Sequence, residues 1–441
     1  MLKIFLAAML LSMSAMASAQ TALSDADYLR KSEEFLAHLD HGEFDAAVAQ
    51  TNAQMRAALP AQKLSAVWTA LPKQVGAAGP RGAAHLTLEN GHRVVLVPLP
   101  YAHMALLARI AFEEGGAIDG FFIVPAPTAT PSKLETNAHF SESEVRVGPA
   151  EKSLGATLTL PAGAGPFPAV VLVHGSGPHD RDESIGPNKP FLDIAHGLAE
   201  RGIAVLRYEK RTSARPQDYA GRNFDVNDEL VNDALAAAEL LKHTDHVDPA
   251  RVFVIGHSLG AMMAPRIGQR APWLAGLVLM AAPARPLQDI VPGQRRYIAA
   301  LDGGIDAEEQ KDIDLLEKQR DEIRNFDPAH PPSHSLMLGL PPAYWADLRG
   351  WDPIGVALTL KQPLLVLQGG RDYQVRPDSE FIRWQRSFAG NARATLIDYP
   401  TLTHLFMTGS EPPRPSDYDH ADHVATKVID DIAAWIPHSK P

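Results

Sequence analysis

Apolar positions recur at spacings near three and four from residue 24 to about 72, where Phe35, Leu36, Leu39, Phe44, Val48, Met55, Leu59, Leu64 and Trp68 form one stripe. That spacing predicts helix with one buried face. The period then shortens. Residues 85–88 and 93–97 flank Asn90-Gly91, and a turn whose two residues tolerate positive φ predicts a hairpin. Residues 105–112 and 120–124 continue as strands, separated by Gly115-Gly116. Helices followed by a run of strands predict a small α+β domain over 20–125. Pro125, Pro127 and Pro131 mark a linker, placed at 126–140.

From about residue 141 the pattern alternates. Strand-like runs at 169–173, 203–208, 252–255, 277–282, 364–367 and 395–399 are separated by segments of helical period, such as Val226, Leu230, Ala234, Ala238 and Leu241. Apolar strands alternating with amphipathic helices predict an α/β fold, a mostly parallel sheet covered on both faces. Residues 143–147 and 154–160 read as an antiparallel pair at its start. About eighty residues, 284–360, separate two of the strands. That is too long for a plain connection and predicts a helical lid insertion. Residues 306–326 form its charged helix, and Leu336, Met337, Leu338, Tyr344, Trp345 and Trp351 make its second half apolar and aromatic.

The first 19 residues stand apart. Lys3, a short apolar run at 4–11 and Ala17-Ser18-Ala19 ahead of Gln20 have the form of a cleaved secretory signal peptide. No Cys follows it, so no thioether lipid anchor is expected, and no later run reaches the length of a membrane span. The expected location is the periplasm or the medium, with no stable membrane anchor. The chain has 52 Asp and Glu against 41 Lys and Arg. That acidic balance argues against nucleic acid as a partner. The absence of Cys removes disulfides, thiolate metal sites and a Cys nucleophile.

The strand at 252–255 runs into Gly256-His257-Ser258-Leu259-Gly260, and a helix from 261 to 270 follows. A Gly-x-Ser-x-Gly pentapeptide in a strand-to-helix turn is the context of a nucleophile elbow. Small residues at both Gly positions let the chain turn sharply, so the Ser258 hydroxyl projects. The N–H of Leu259, at the helix N-terminus, then points where an oxyanion would form. A Ser hydroxyl needs a base, and with such an elbow the partners follow in the order Ser, acid, His. Asp372 sits just past 364–367 and His404 just past 395–399, both at C-terminal strand ends where ligands gather. Asp378 is the rival acid; His420 and His423 are the rival bases.

A second oxyanion donor is expected from the loop His174-Gly175-Ser176-Gly177 after 169–173. The Ser176 N–H is favoured, with Gly177 as its neighbour, and His174 reads as a brace for the loop. Tyr344, Trp345 and Trp351 either line an acyl pocket beside Gly177 or form lid core. His243 and His246 have metal-like spacing but no third ligand, so no metal is expected. The acidic–His cluster from Asp417 to His423 reads as the first turn of the last helix.

At these residues the chain resembles bacterial α/β-hydrolase esterases that carry an extra N-terminal domain. The resemblance covers essentially the whole mature chain. It rests on residues 174–178 continuing through Asp180-Arg181-Asp182-Glu183, on Gly186 to Phe191, on Arg207-Tyr208-Glu209-Lys210-Arg211, on Gly256 to Gly260, on Tyr344-Trp345 and on Gly370 to Val375. Glu209 departs from it, Asp being commoner there. The resemblance implies the α/β-hydrolase fold, a Ser258–Asp372–His404 triad, hydrolysis of small-molecule carboxylic esters without a cofactor, and a cystatin-like N-terminal domain.

Peptidase and acyl-thioesterase chemistry would use the same three residues and stay open at this stage. A larger gating domain would favour the first, and a signal peptide separates the chain from cytosolic thioesters. A binding protein on a hydrolase scaffold is a third reading. The N-terminal domain has two open roles, pairing chains into a homodimer or capping the substrate entrance.

Overall fold

The structure is a computed structural model that describes residues 23–438 apart from 90–91, 102–104, 127–131 and 220–221. The signal-peptide reading of 1–19, the Asn90-Gly91 turn, and Pro127 and Pro131 of the linker lie outside the described residues. The chain divides into two compact units, one ending at Val124 and the other beginning at Pro125.

In the first unit the long helical stripe is four helices, Asp25–Asp40, Phe44–Ala49, Ala53–Ala58 and Ala61–Val75. The breaks have local causes. Gly42 takes φ 74° after the first helix, Asn52 caps the third by accepting the Met55 N–H, and Pro60 precedes the fourth. Ser24 and Asp27 close a capping box at the first N-terminus, satisfying two orphan donors. Strands β1 (His85–Glu89), β2 (His92–Pro100), β3 (Ala105–Phe112) and β4 (Ile118–Pro125) form a sheet in that order. Its inner face alternates with period two: Val95, Val97 and Leu99 on β2, Leu106, Ala108, Ile110 and Phe112 on β3. They pack with Tyr28, Phe35, Leu36 and Leu39 of the first helix.

The second unit holds β5 (Phe140–Val147), β6 (Leu154–Pro161), β7 (Phe167–Val173), β8 (Ala204–Tyr208), β9 (Val247–His257), β10 (Gly276–Met280), β11 (Leu364–Gly369) and β12 (Ala394–Tyr399). They form one eight-stranded sheet, ordered β12-β11-β10-β9-β7-β8-β6-β5. β5 and β6 are antiparallel, β6 meets β8 antiparallel, and the rest run parallel. Each central strand is apolar on both sides because each side has its own core. Val170 and Leu172 of β7, with Phe253 and Ile255 of β9, pack against the helices Pro190–Ala199 and Thr426–His438. Val171, Val173, Val252 and Val254 face the helices Asn232–Lys242 and Leu259–Arg270.

The segment between β10 and β11 carries helices Leu287–Ala299, Ala307–Asn325, Pro342–Leu348 and Pro353–Thr359. Its far end is tied down. The Trp351 indole donates to the Met262 carbonyl at 3.0 Å. Arg266 lies 4.3 Å over the Trp351 ring and donates to Asp347 at 2.6 Å. The Asp417–His423 cluster is not the first turn of the last helix, as the sequence suggests: that helix begins at Thr426, and Asp417 belongs to a short turn, Pro415–Tyr418. Among the described residues, no helix is long and apolar enough to cross a membrane.

Candidate active site

Neighbouring parallel strands carry the candidate residues off one edge of the sheet. β9 ends at His257, opposite Met280 of β10, which lies opposite Leu367 of β11. Gly369 closes β11 opposite Tyr399, the end of β12. Ser258 follows the end of β9 directly, Asp372 comes three residues after that of β11 and His404 five after that of β12.

Ser258 has φ 53° and ψ −114°. Such a backbone costs a non-glycine residue about 1–3 kcal/mol and persists only where its surroundings impose it. They do so here. The Ser258 N–H donates to the Met280 carbonyl at 2.9 Å. A Cβ on Gly256 would lie 2.3 Å from the Gly260 oxygen, and one on Gly260 would lie 2.2 Å from the Val173 oxygen. Both obstacles are backbone, so only glycine fits. Leu259 opens the following helix, where the first N–H groups have no intrahelical acceptor.

Asp372 and His404 are brought together by close passage of two loops. A Cβ on Gly369 would lie 2.3 Å from the Thr403 oxygen, and one on Gly370 would lie 2.6 Å from Pro400. Without side chains in the way, the His404 Nδ1 donates to Asp372 Oδ2 at 2.7 Å, with both side chains buried. Asp372 is itself fixed: Oδ1 accepts the N–H groups of Gln374 and Val375 at 2.8 Å each, and Gln368 Nε2 donates to Oδ2 at 3.2 Å. The rival Asp378 is exposed and paired with Arg376. The rival His423 is exposed and paired with Asp193.

The loop after β7 reaches the same place. A Cβ on Gly175 would lie 3.2 Å from the Ser258 Cβ. Lys210 holds this loop from behind. Its buried ammonium donates to the carbonyls of Gly175 and Gly177 at 2.7 and 2.8 Å, and lies 2.8 Å from Glu229 Oε1. Three donors thus meet three acceptors. Glu229 Oε2 accepts the Tyr344 hydroxyl at 2.5 Å, so the network runs from the loop to the inserted segment. His174 is buried and its Nε2 donates to the Asp180 carbonyl at 3.0 Å. Burial, opposed by Glu183 but reinforced by His179 and Lys210, pushes it down to about 3. It is neutral and braces the loop.

A cavity of about 350 Å³ opens beside this loop, lined by Ser176, Gly177, Thr212, Glu229, Tyr344 and three leucines of the inserted segment. Trp345 is fully buried in the main core, its indole donating to the Met337 carbonyl. Tyr344 lines the cavity, whereas Trp345 belongs to the main core. Among the described residues no cluster of three or more His, Asp or Glu is placed to hold a metal. His243 bonds Glu239 and His246 bonds the Ala164 carbonyl.

Lys210, Glu229, Gln368, Glu183 and His257 were not given roles from the sequence. Lys210, Glu183 and His257 stand inside the motifs that carry the resemblance, yet Lys210 meets Gly175 and Glu183 meets His257 from far away along the chain. A carboxylate, an ammonium or an amide acquires a task only through what the fold sets against it.

Residues 170–417 match the alpha/beta hydrolase family, and residues 32–121 match a family described only as a protein of unknown function, DUF3887. Esterase EstD of Thermotoga maritima is 36% identical over 406 residues, covering 91% of this chain and 93% of the relative. Among solved structures, Est1E from Butyrivibrio proteoclasticus aligns with a TM-score of 0.43 and 16% identity over 67% of this chain and 98% of its own. A hyperthermophilic esterase from the archaeon Pyrobaculum calidifontis aligns with a TM-score of 0.43 and 17% identity over 67% of this chain and 84% of its own.

Proposed function

The chain belongs to the alpha/beta hydrolase family, and from that premise we propose that it hydrolyses carboxylic esters of short to medium acyl chains through an acyl-enzyme on Ser258. The observation that carries this reading is the buried His404–Asp372 hydrogen bond beside a serine held at positive φ. The 36% identity to an esterase over nine-tenths of the chain supports the ester as the bond attacked.

In this reading Ser258 Oγ adds to the acyl carbonyl as the other ring nitrogen of His404, Nε2, takes its proton. Asp372 keeps the hydrogen on Nδ1, so that Nε2 is the free base, and stabilises the imidazolium that forms. The oxyanion is met by the N–H groups of Leu259 and Ser176, on a loop whose carbonyls Lys210 already occupies. His404 returns the proton to the departing alcohol. Water then repeats the sequence on the acyl-enzyme and releases the acid. A donor of this kind supplies about 3–4 kcal/mol of transition-state stabilisation. The size of the cavity beside Gly177, at the low end of small-molecule sites, favours short or medium chains over long ones.

The test is a p-nitrophenyl ester series, acetate through palmitate, with wild type and Ser258→Ala. The expected result is hydrolysis with an optimum at short or medium chains and a loss in kcat on the order of 10⁶-fold in the variant. Wild-type cleavage of peptide or thioester substrates but of no ester would move the reading to those bonds. The signal-like segment at 1–19 supports export to the periplasm or the medium; a mature protein beginning at Gln20 is the expected result of N-terminal sequencing.

A further inference from the structure

Glu183 and His257 adjoin the proposed triad and take no part in its proton transfers. Their side chains are 1% and 6% exposed. One Glu183 oxygen, Oε1, accepts the N–H of Gly175 at 2.5 Å. The other, Oε2, lies 2.9 Å from His257 Nδ1. At the far side of the ring, His257 Nε2 lies 2.9 Å from the carbonyl oxygen of His404.

A carbonyl oxygen can only accept, so Nε2 carries a hydrogen. A neutral imidazole has a single N–H. Its Nδ1 would then face a carboxylate with one lone pair against another. Nδ1 and Oε2 have no other partner among the described residues and face each other at 2.9 Å. Two buried atoms so placed are accommodated as opposite charges. We propose that Glu183 holds His257 as an imidazolium, and that this ion pair is a positioning device locking the oxyanion loop, through Gly175, to the base, through the His404 carbonyl. The proposal rests on the triad reading above.

The charged groups around the ring are consistent with that state. Among the described residues, Glu183 faces it from the loop after β7 and Asp372 from the loop after β11, with His404, whose ring centroid is 4.6 Å away, and His179 beside them. Burial alone would push His257 down, but Glu183, the His404 carbonyl and Asp372 outweigh it and hold the ring above its ordinary 6.5. Glu183 is held down at about 2, its burial overcome chiefly by His257. When His404 takes the Ser258 proton, two imidazoliums stand against two carboxylates and the oxyanion, so the net charge of the site does not change.

For a histidine with a raised value, the charged state is complete below 6.5 and is lost as pH rises through the raised value. The positioning therefore fails on the alkaline side. Glu183→Gln separates charge from shape. The amide oxygen still accepts from Gly175, its NH₂ turns to Nδ1, and a neutral Nε2–H ring then satisfies every group.

The experiment uses the full chain with ¹⁵N-labelled histidine, the His257 signals being assigned by their loss in His257→Gln. Both His257 nitrogens should be protonated at neutral pH in wild type, and only one in Glu183→Gln. The kcat–pH profile of wild type should carry an alkaline limb that disappears in Glu183→Gln, with KM within about twofold. His257→Gln, which keeps an N–H toward the His404 carbonyl, should also lack the limb and serves if the first variant does not fold. A neutral His257 ring in wild type, or an unchanged alkaline limb in either folded variant, overturns the proposal. An active Ser258→Ala would sink the triad reading alone, since the ring's protonation is read without turnover.

Discussion

Asp372 grips His404 with one carboxylate oxygen and its own loop with the other. Oδ2 accepts the imidazole Nδ1 at 2.7 Å, while Oδ1 takes two backbone N–H groups at 2.8 Å. The orientation of the ring is thus set by backbone, two bonds removed. Asp372→Asn can keep Oδ1 in place, but its amide nitrogen would donate to Nδ1 and force the hydrogen onto the nitrogen that should be the base. The expected loss in kcat is on the order of 10⁴-fold with the fold retained. Circular dichroism and ester kinetics on the same sample check it; activity within tenfold of wild type would reject Asp372 as the orienting acid.

Gly260 offers a test of the elbow that does not touch the chemistry. An added methyl would meet the Val173 oxygen at 2.2 Å and the His174 oxygen at 2.7 Å, both backbone. Gly260→Ala should lower stability by at least about 1–3 kcal/mol, the usual cost of forcing atoms into a packed interior. The urea midpoint measures this, and an unchanged midpoint would mean that the elbow and the β7 end are not packed as described.

Lys210 and Glu229 form a buried pair in which each depends on the other. Lys210→Met leaves the Glu229 carboxylate without its cation and frees the Gly175 and Gly177 carbonyls. Removal of one partner of such a pair costs about 3–5 kcal/mol. The double variant Lys210→Met with Glu229→Gln should recover part of that in stability but not in kcat, because the loop stays unheld. Recovery of both in parallel would show that Lys210 does nothing for the loop.

Part of the acid sensitivity should trace to Glu142. Its side chain is buried, with Oε1 accepting from Arg207 at 2.5 Å, Thr159 at 2.9 Å and His196 at 3.1 Å. Burial alone would raise it, but His196, Arg207 and the Glu135 N–H together hold it at about 2, below its ordinary 4.5. A depressed carboxylate stabilises the fold fully above its unfolded value and loses that contribution as pH falls through its folded one. Stability should therefore drop between about 4.5 and about 2, and Glu142→Gln should flatten that part of the curve in denaturant titrations. An equally steep acid branch in the variant would assign it to other groups.

The sheet was readable because its central strands are buried on both faces, so 169–173, 252–255 and 277–280 are unbroken apolar runs. Ser258 and Asp372 were readable because each comes just after such a run, and His404 because it comes just after the partly exposed strand Ala394–Tyr399. The N-terminal helix looked continuous since its apolar stripe passes through Gly42, Asn52 and Pro60, whose breaks only local geometry reveals. Helix Leu287–Ala299 was hidden by Pro292 and Gly293 within it. Glu183 and His257 could not be paired from the sequence. Nothing in either residue's surroundings along the chain says that the fold will set them 2.9 Å apart.

Trp351 and Arg266 fasten the end of the inserted segment to the helix that begins at Leu259. Tied there, the segment is expected to stay in place on meeting an oil droplet, and the entrance to the proposed site to be set at folding. Turnover should then follow ordinary saturation with the free monomeric ester, with no jump at the concentration where emulsion forms.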